Sequence, residues 1–215
     1  MKAVWMILLL LCVVPLSALD VEDDGVFGHP VTLGDASFVS TYQTVAYNGP
    51  WVADFTQTKQ IHGIKRTFRS TGTMLLQPSR GIVWNMRTPY PSVLVVGPSY
   101  IVQQLPGRQT SRMEFGDNQV FTQISRTIEM VLAGNLAALD DAFSLSFQKE
   151  GEDWTLALVP RQAEVASFVD SFVLGGADEL KTVLMHEKGG DSIRYDFSSM
   201  ERRSLGDDEL VYFSL

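Results

Sequence analysis

The sequence predicts a mainly β protein with two helices, built on a strongly curved antiparallel sheet of about ten or eleven strands. Short runs of alternating apolar and polar residues fill most of the 215-residue chain, a pattern typical of half-buried antiparallel strands. Glycine-containing turns such as 175–176 and 189–191 separate several of these runs. Two stretches have the longer apolar spacing of helices instead. A plain β-sandwich would give much the same pattern, so it stays open as an alternative at this point.

The N-terminal 18 residues have the parts of a secretory signal peptide. Lys2 supplies a positive charge, an apolar run covers residues 3–16, and the small residues Ser17 and Ala18 follow it. The run is shorter than the roughly 20 apolar residues of a transmembrane helix. We therefore expect residues 1–18 to be removed on export and residues 19–215 to form a single domain.

The first helix is predicted within 31–47, where Leu33, Phe38 and Tyr42 recur at helical intervals and Asp35 is a possible N-cap. The second is predicted from a cap at Asn118 to a stop at 134–135. Strands are predicted from the alternation at 51–59, 68–76, 82–86, 93–96, 100–105, 110–115, 143–147, 154–159, 168–174, 180–187 and 192–198, with a final run at 210–215.

Charge and composition exclude several functions. The chain has 17 Lys and Arg against 25 Asp and Glu, a net charge of -8, so it lacks the basic field that holds phosphate backbones, and we expect no nucleic-acid partner. The one cysteine, Cys12, lies inside the apolar leader with Leu11 before it, where a lipoprotein acylation site has a small residue. A disulfide framework and a cysteine-ligated zinc site are excluded, and we expect the mature protein to be unacylated.

Motifs for catalysis are missing from the sequence. It has no glycine-rich phosphate loop, no G-x-S-x-G turn, and three histidines without metal-binding spacing. The acidic pairs at 23–24, 140–141 and 207–208 are interpreted as solvated turns or termini. We expect no enzymatic activity, no metal and no cofactor, with a hydrolase of unrecognised site as the alternative.

A series of motif positions nevertheless follows a recognisable order. Phe55 and Gln57 form an F-x-Q motif in one strand, and Gly72 and Pro78 mark the next. Trp84 follows that proline by six residues, with Pro89 beyond it. Later come the run 154–160 ending in L-x-P, the hairpin 180–197 with its turn at 190–191, and Phe213 in the terminal run. This order resembles the LolA family of periplasmic outer-membrane lipoprotein carriers over most of the mature chain.

The resemblance implies an incomplete antiparallel β-barrel whose open side is covered by helices, with an apolar cavity for acyl chains. It implies a periplasmic carrier of a lipoprotein or other acylated lipid cargo, an inner-membrane release complex, an outer-membrane acceptor and transient membrane contact; we expect a monomer. The cavity candidates are bulky apolar residues, for which plain core packing is the alternative: Phe55, Met74, Leu76, Trp84, Leu94, Val96, Phe172 and Leu184 from the strands, and Ile124, Ile128 and Leu132 from the second helix.

The residue before the strand proline departs from the family pattern. Carriers of the family typically have Arg there, and that residue controls the lid and cargo release; this chain has Gln77, while Arg80 matches no motif position. Glutamine has no charge and no bidentate fork. We therefore expect a release mechanism or cargo that has diverged. The alternative function is a lipid-binding sensor, or an accessory subunit of an envelope lipid, glycolipid or pigment export system.

Overall fold

The computed structural model describes residues 25–47, 49–116, 126–127, 129–132 and 135–215. The expected signal peptide at 1–18 and the candidate residues Ile124 and Ile128 lie outside the described residues. Their predictions therefore stay predictions.

Within the described residues, twelve strands form one sheet in which every pair is antiparallel. They are β1 (Pro30–Val31), β2 (Trp51–Gln60), β3 (Thr67–Gln77), β4 (Gly81–Thr88), β5 (Ser92–Val96), β6 (Tyr100–Gln104), β7 (Ser111–Glu114), β8 (Phe143–Glu150), β9 (Asp153–Pro160), β10 (Val169–Gly176), β11 (Leu180–Glu187) and β12 (Ser192–Arg202). The eleven strands predicted between 51 and 198 are confirmed, and the short β1 is an addition.

In the described part of the chain, the strands outnumber the helices. The helices are α1 (Ala36–Val45), α2 (Leu136–Ala142), α3 (Ala163–Ala166) and α4 (Asp207–Leu210), with 3-10 turns at Val26–Gly28 and Val211–Ser214; residues 126–127 and 129–132 are also helical. The first predicted helix is confirmed as α1, with Asp35 at its N-cap position. The Asp35 carboxylate accepts the backbone N–H of Thr32 at 2.8 Å rather than a helix N–H.

The strand order is β1-β8-β9-β10-β11-β12-β2-β3-β4-β5-β6-β7. The edge strands β1 and β7 do not pair with each other in the described part of the chain, so the sheet is an open barrel rather than a closed one. One continuous sheet also removes the sandwich alternative, which needs two sheets packed face to face.

The final apolar run is helical, so its prediction as a strand was wrong. Helix α4 has Asp207, Asp208 and Glu209 in its first turn, and acidic residues stabilise a helix N-terminus. The carboxylate of Glu209 also accepts the backbone N–H of Gly206 at 2.8 Å. Phe213 therefore lies in a 3-10 turn and not in a last strand.

This C-terminal segment covers the outer face of β3 to β6. The outer cluster is defined by buried Leu75, Val83, Val95, Val102, Leu205 and Phe213. Hydrogen bonds hold the segment in place, because the Tyr100 hydroxyl donates to the Phe213 carbonyl at 3.2 Å and Arg112 donates to the Leu215 carbonyl at 2.9 Å. The inner face is thus left to the rest of the chain.

Two clusters of buried side chains fill the inner face. The first inner cluster joins α1 and α2 to β8–β11, with Phe38, Tyr42, Val131, Leu139, Ala142, Phe143, Leu145, Phe147, Trp154, Leu156, Leu158, Phe172, Leu174 and Val183. The second inner cluster lies on β2–β5, with Trp51, Ala53, Phe55, Met74, Leu76, Ile82, Trp84 and Val96. Leu132, Tyr195 and Phe197 pack against both clusters, so the two form one continuous apolar interior.

Candidate functional site

The inner face of the sheet is the candidate functional site, and the alternation of β2 shows how it is built. Trp51, Ala53 and Phe55 are buried on this face, because successive residues of a strand point to opposite faces. Gln57 and Lys59 continue this alternation, so their side chains also point to the inner face. An apolar surface therefore passes into a polar region along one strand.

Aromatic rings run across the inner face from β2 to β12. The Phe55 and Tyr195 rings meet edge to face with centroids 5.7 Å apart, and Tyr195 stacks on Phe197 at 6.3 Å. Phe197 in turn meets Trp51 edge to face at 5.9 Å. Such arrangements of rings stabilise beyond simple burial. Tyr195 and Phe197 were missed in the sequence, although the alternation Ile193, Tyr195, Phe197 is a signal that could have found them.

The structure brings most of the predicted cavity residues together. Five belong to the second inner cluster, and Leu94 and Leu132 pack against it; Phe172 belongs to the first inner cluster, which adjoins it. The five are Phe55, Met74, Leu76, Trp84 and Val96.

Leu184 lies on the outer face instead. Its cross-strand partners are Val173 and Arg194, whereas its neighbour Val183 is paired with Leu174 and points into the first inner cluster. Directly paired residues share a face, so Leu184 does not line the interior.

The open acyl cavity stays a prediction, and the structure places a small pocket at the junction of the two inner clusters. A pocket of about 30 Å³ lies between the two clusters, lined among others by Tyr42, Trp51, Leu132, Trp154 and Met200. A volume of this size holds one or two water molecules but not an acyl chain. Leu132, from the predicted second helix, lies at this junction.

A buried ion pair sits on the polar part of the inner face. The Lys59 ammonium lies 3.5 Å from the Glu187 carboxylate, with side chains only 5% and 8% exposed, and 3.9 Å from Asp191. The Asp191 carboxylate also accepts the backbone N–H of His62 at 2.8 Å. Charges this deep are stable only with partners. The sequence contained one signal for these buried charges: Lys59 falls on the inward-facing positions of the β2 alternation.

Trp84 and Tyr195 supply further polar atoms of the inner face. The indole Nε1 of Trp84 is buried and has no hydrogen-bond partner among the described residues. Part of the Tyr195 side chain is accessible to solvent. Burial is nevertheless the largest influence on the pKa of its phenol, and it raises that pKa. The Trp84 indole lowers the same pKa, and the charge of Glu187 raises it. Tyr195 also packs against the second inner cluster, to which Trp84 belongs.

Gln77 ends β3 on the other side of the sheet. Its position in the alternation puts it on the outer face with Leu75, and its cross-strand partner is Gly81. In the turn that follows, the Ser79 backbone N–H donates to the Glu129 carboxylate at 3.3 Å. The predicted release position therefore lies next to a turn that contacts the helical residues 129–132.

The inner face presents mainly apolar side chains, in the two inner clusters. Among the described residues, no group of three or more His, Cys, Asp or Glu is placed to hold a metal ion. In the same part of the chain, no helix has the length and apolar character needed to cross a membrane.

Comparisons with known proteins identify a family. Residues 50–214 match the family described as outer membrane lipoprotein carrier protein LolA, whereas no curated protein matches the chain.

Solved structures similar to the chain include a LolA superfamily protein from Nitrosomonas europaea (10% identity, TM-score 0.42, covering 80% of this chain and 94% of that chain). Others are a DUF1329 family protein from Desulfovibrio piger (12%, 0.44, 86% and 97%) and the MucA/MucB complex from Pseudomonas aeruginosa (17%, 0.36, 82% and 60%). All three TM-scores are below 0.5, so the family assignment depends on the sequence match. LolA family proteins are periplasmic, their fold is generally non-enzymatic, and they form a family of lipoprotein and lipid carriers. This chain belongs to the LolA family of outer membrane lipoprotein carriers.

Proposed function

We propose that the protein is a periplasmic carrier that binds the acyl chains of a lipoprotein or other acylated lipid on its inner face and transfers it towards the outer membrane. The observation that carries this proposal is the continuous apolar interior in which Leu132 packs against both inner clusters. An acyl chain that displaced Leu132 would meet Phe55 and Trp84 on one side and Phe172 on the other side. The family membership supports the cargo class.

Binding energy and reversibility both fit an interior that the protein's own side chains occupy when no cargo is bound. Each methylene moved from water into an apolar site contributes about 0.8 kcal/mol, so a diacyl cargo needs no specific polar contact to be held tightly. The pocket between the two inner clusters measures only about 30 Å³. Cargo entry therefore requires the segment carrying Leu132 to move away, and its return would help to expel the cargo.

The remaining parts of the transport cycle follow from the same proposal. The expected signal peptide at 1–18 would direct residues 19–215 to the periplasm as a monomer without a cofactor. There the carrier would take cargo from an inner-membrane release complex and deliver it to an outer-membrane acceptor, without making or breaking bonds. Gln77, where the family usually has Arg, supports a diverged release step or cargo.

We place the transient membrane contact at the basic end of the sheet, defined by Lys65, Arg66, Arg69 and Arg108. The loops after β2, β4 and β6 lie at this end, since these strands form a meander. No ion pair involves these four cations within the described residues, although the whole chain has a net charge of -8.

Exposed apolar side chains flank these cations. Ile64 is 43% exposed and Tyr90, in the loop between β4 and β5, is 55% exposed. Cations beside exposed apolar groups bind anionic lipid surfaces through charge and shallow insertion. The occupant we propose for this end is therefore an anionic bilayer surface.

A release assay tests the function. Membranes carrying a radiolabelled lipoprotein are incubated with the purified mature protein, and labelled cargo is followed into the soluble fraction. We expect a soluble one-to-one complex, whose cargo native mass spectrometry then identifies. Lipid that binds but is never released would favour the sensor or accessory subunit, and no lipid in either assay would contradict the carrier.

A further inference from the structure

One donor on the inner face is left without an acceptor. Trp84 is only 8% exposed, and its Nε1 has no hydrogen-bond partner among the described residues. An indole N–H can donate but cannot accept. Because a buried unpaired donor is costly, this atom marks a position where an acceptor would stabilise the protein.

A second donor lies beside it. Tyr195 packs against the second inner cluster, to which Trp84 belongs. Burial, the largest influence, raises the pKa of its phenol, and the Trp84 indole lowers it. The phenol therefore keeps its proton at neutral pH. Tyr195 and Trp84 are both on the inner face, Tyr195 in contact with Phe55 and Trp84 within the second inner cluster. One N–H donor, from Trp84, and one O–H donor, from Tyr195, thus lie among apolar side chains.

We propose that Trp84 Nε1 and Tyr195 Oη form a subsite for the carbonyl oxygen of a neutral acyl ester or amide. This inference rests on the proposed function, since the acyl chain attached to that carbonyl would lie on the same inner face. A carbonyl oxygen has two lone pairs, so it can accept from both donors at once. The subsite would fix the polar end of the chain while the aromatic rings hold its methylenes.

The charges nearby favour a neutral ligand over a free fatty acid. Glu187 is close enough to the Tyr195 phenol to raise its pKa. Its partner Lys59 is shared with Asp191, so one ammonium faces two carboxylates. A third carboxylate, on a fatty acid, would be repelled. An ester or amide carbonyl accepts hydrogen bonds without adding charge.

Displacement of a fluorescent acyl probe by three ligands of matched chain length tests the subsite: methyl laurate, dodecyl methyl ether and laurate. In wild type we expect methyl laurate to bind more tightly than the ether, and laurate most weakly at pH 7.5. In Trp84→Phe, which keeps an aromatic ring but removes the N–H, the ester-to-ether affinity ratio should fall about fivefold. Trp51→Phe, a matched change elsewhere on the inner face, should leave the ratio unchanged.

An ester-to-ether affinity ratio that is the same in Trp84→Phe as in wild type overturns the subsite. If that variant does not fold, Tyr195→Phe is compared in the same way. The carbonyl stretch of ¹³C-labelled methyl laurate bound to wild type needs no variant: a frequency below that in hydrocarbon solvent is expected, and the hydrocarbon value overturns the proposal. If ester and ether bind equally, the acyl site survives and only the subsite fails. If none of the three ligands binds, the proposed function fails as well.

Discussion

Phe55 lies directly across from Gly72 in the β2–β3 ladder, and its ring occupies the space where a side chain at Gly72 would begin. A Cβ on Gly72 would come within 2.9 Å of two Phe55 ring atoms and 2.3 Å of the Asn85 carbonyl oxygen. The glycine thus lets an aromatic ring lie against the backbone of β3. This one contact explains why the motif pattern in the sequence has Phe at position 55 and Gly at position 72.

We therefore expect Gly72→Ala to destabilise the protein by about 1–3 kcal/mol, because backbone or ring must shift to admit the methyl group. Urea unfolding of the mature protein measures the loss. Gly189→Ala is the matched control, since a Cβ there meets no atom within 4 Å. Equal stability of the two variants would show that the close approach of Phe55 is not needed.

The buried ion pair predicts a non-additive pair of substitutions. Lys59→Met removes the ammonium 3.5 Å from Glu187 and leaves that carboxylate buried, so a loss of about 3–5 kcal/mol is expected. The double variant Lys59→Met/Glu187→Leu removes both charges and should recover most of the loss. Urea unfolding of wild type, the single variants Lys59→Met and Glu187→Leu, and the double variant completes a double-mutant cycle. Additive losses would mean that the two side chains do not interact.

The basic end predicts binding to anionic vesicles. Replacing Lys65, Arg66 and Arg69 by Gln should lower the affinity for vesicles containing phosphatidylglycerol by at least tenfold, since each cation near such a surface contributes about 1 kcal/mol. Co-sedimentation at low and at physiological salt measures this. Arg80→Gln, in the turn at the opposite end of β3, is the control and should bind like wild type. Binding of the triple variant at the wild-type level would place the membrane contact elsewhere.

Gln77→Arg tests whether the chain has diverged from the usual release mechanism. At this half-buried position on the outer face the guanidinium has no evolved partner, and we expect lower lipid loading or a stability loss of about 1 kcal/mol rather than better transfer. Lipoprotein release from membranes compares wild type with Gln77→Arg, and Gln77→Lys controls for charge without the bidentate fork. Efficient release by wild type that the Arg substitution leaves unchanged would remove the case for a diverged cargo.

Much of the sheet could be predicted because its information is local. Alternation along β2 or β12 is visible in ten or so consecutive residues, and turns such as 189–191 mark where the strands end. The terminal run at 210–215 was misjudged because a short apolar stretch fits a strand and a buried helix equally well. What decides between them is the acidic first turn at 207–209, upstream of the run. The short helices α2 and α3 had too few residues to show a period.

The site was predicted less completely because it depends on partners far apart in the sequence. Both Val183 and Leu184 are apolar, so the sequence does not say which of them faces inward, and a shift of one residue reverses the faces. The burial of Lys59 depends on Glu187, 128 residues away. Likewise, nothing local places Tyr195 beside Trp84. Only the folded sheet brings these residues to one surface.

The central claim, that the native inner face binds acyl chains, is tested most directly by titrating the folded mature protein with a fluorescent fatty-acyl probe. We expect saturable binding of one probe per chain, competed by unlabelled acyl ligand. Binding should be strongly weakened in Trp84→Asp, which puts a charge where the chain would lie; a circular-dichroism melt confirms that this variant is folded. A native protein that binds no probe, or binds it only once denatured, would contradict the account.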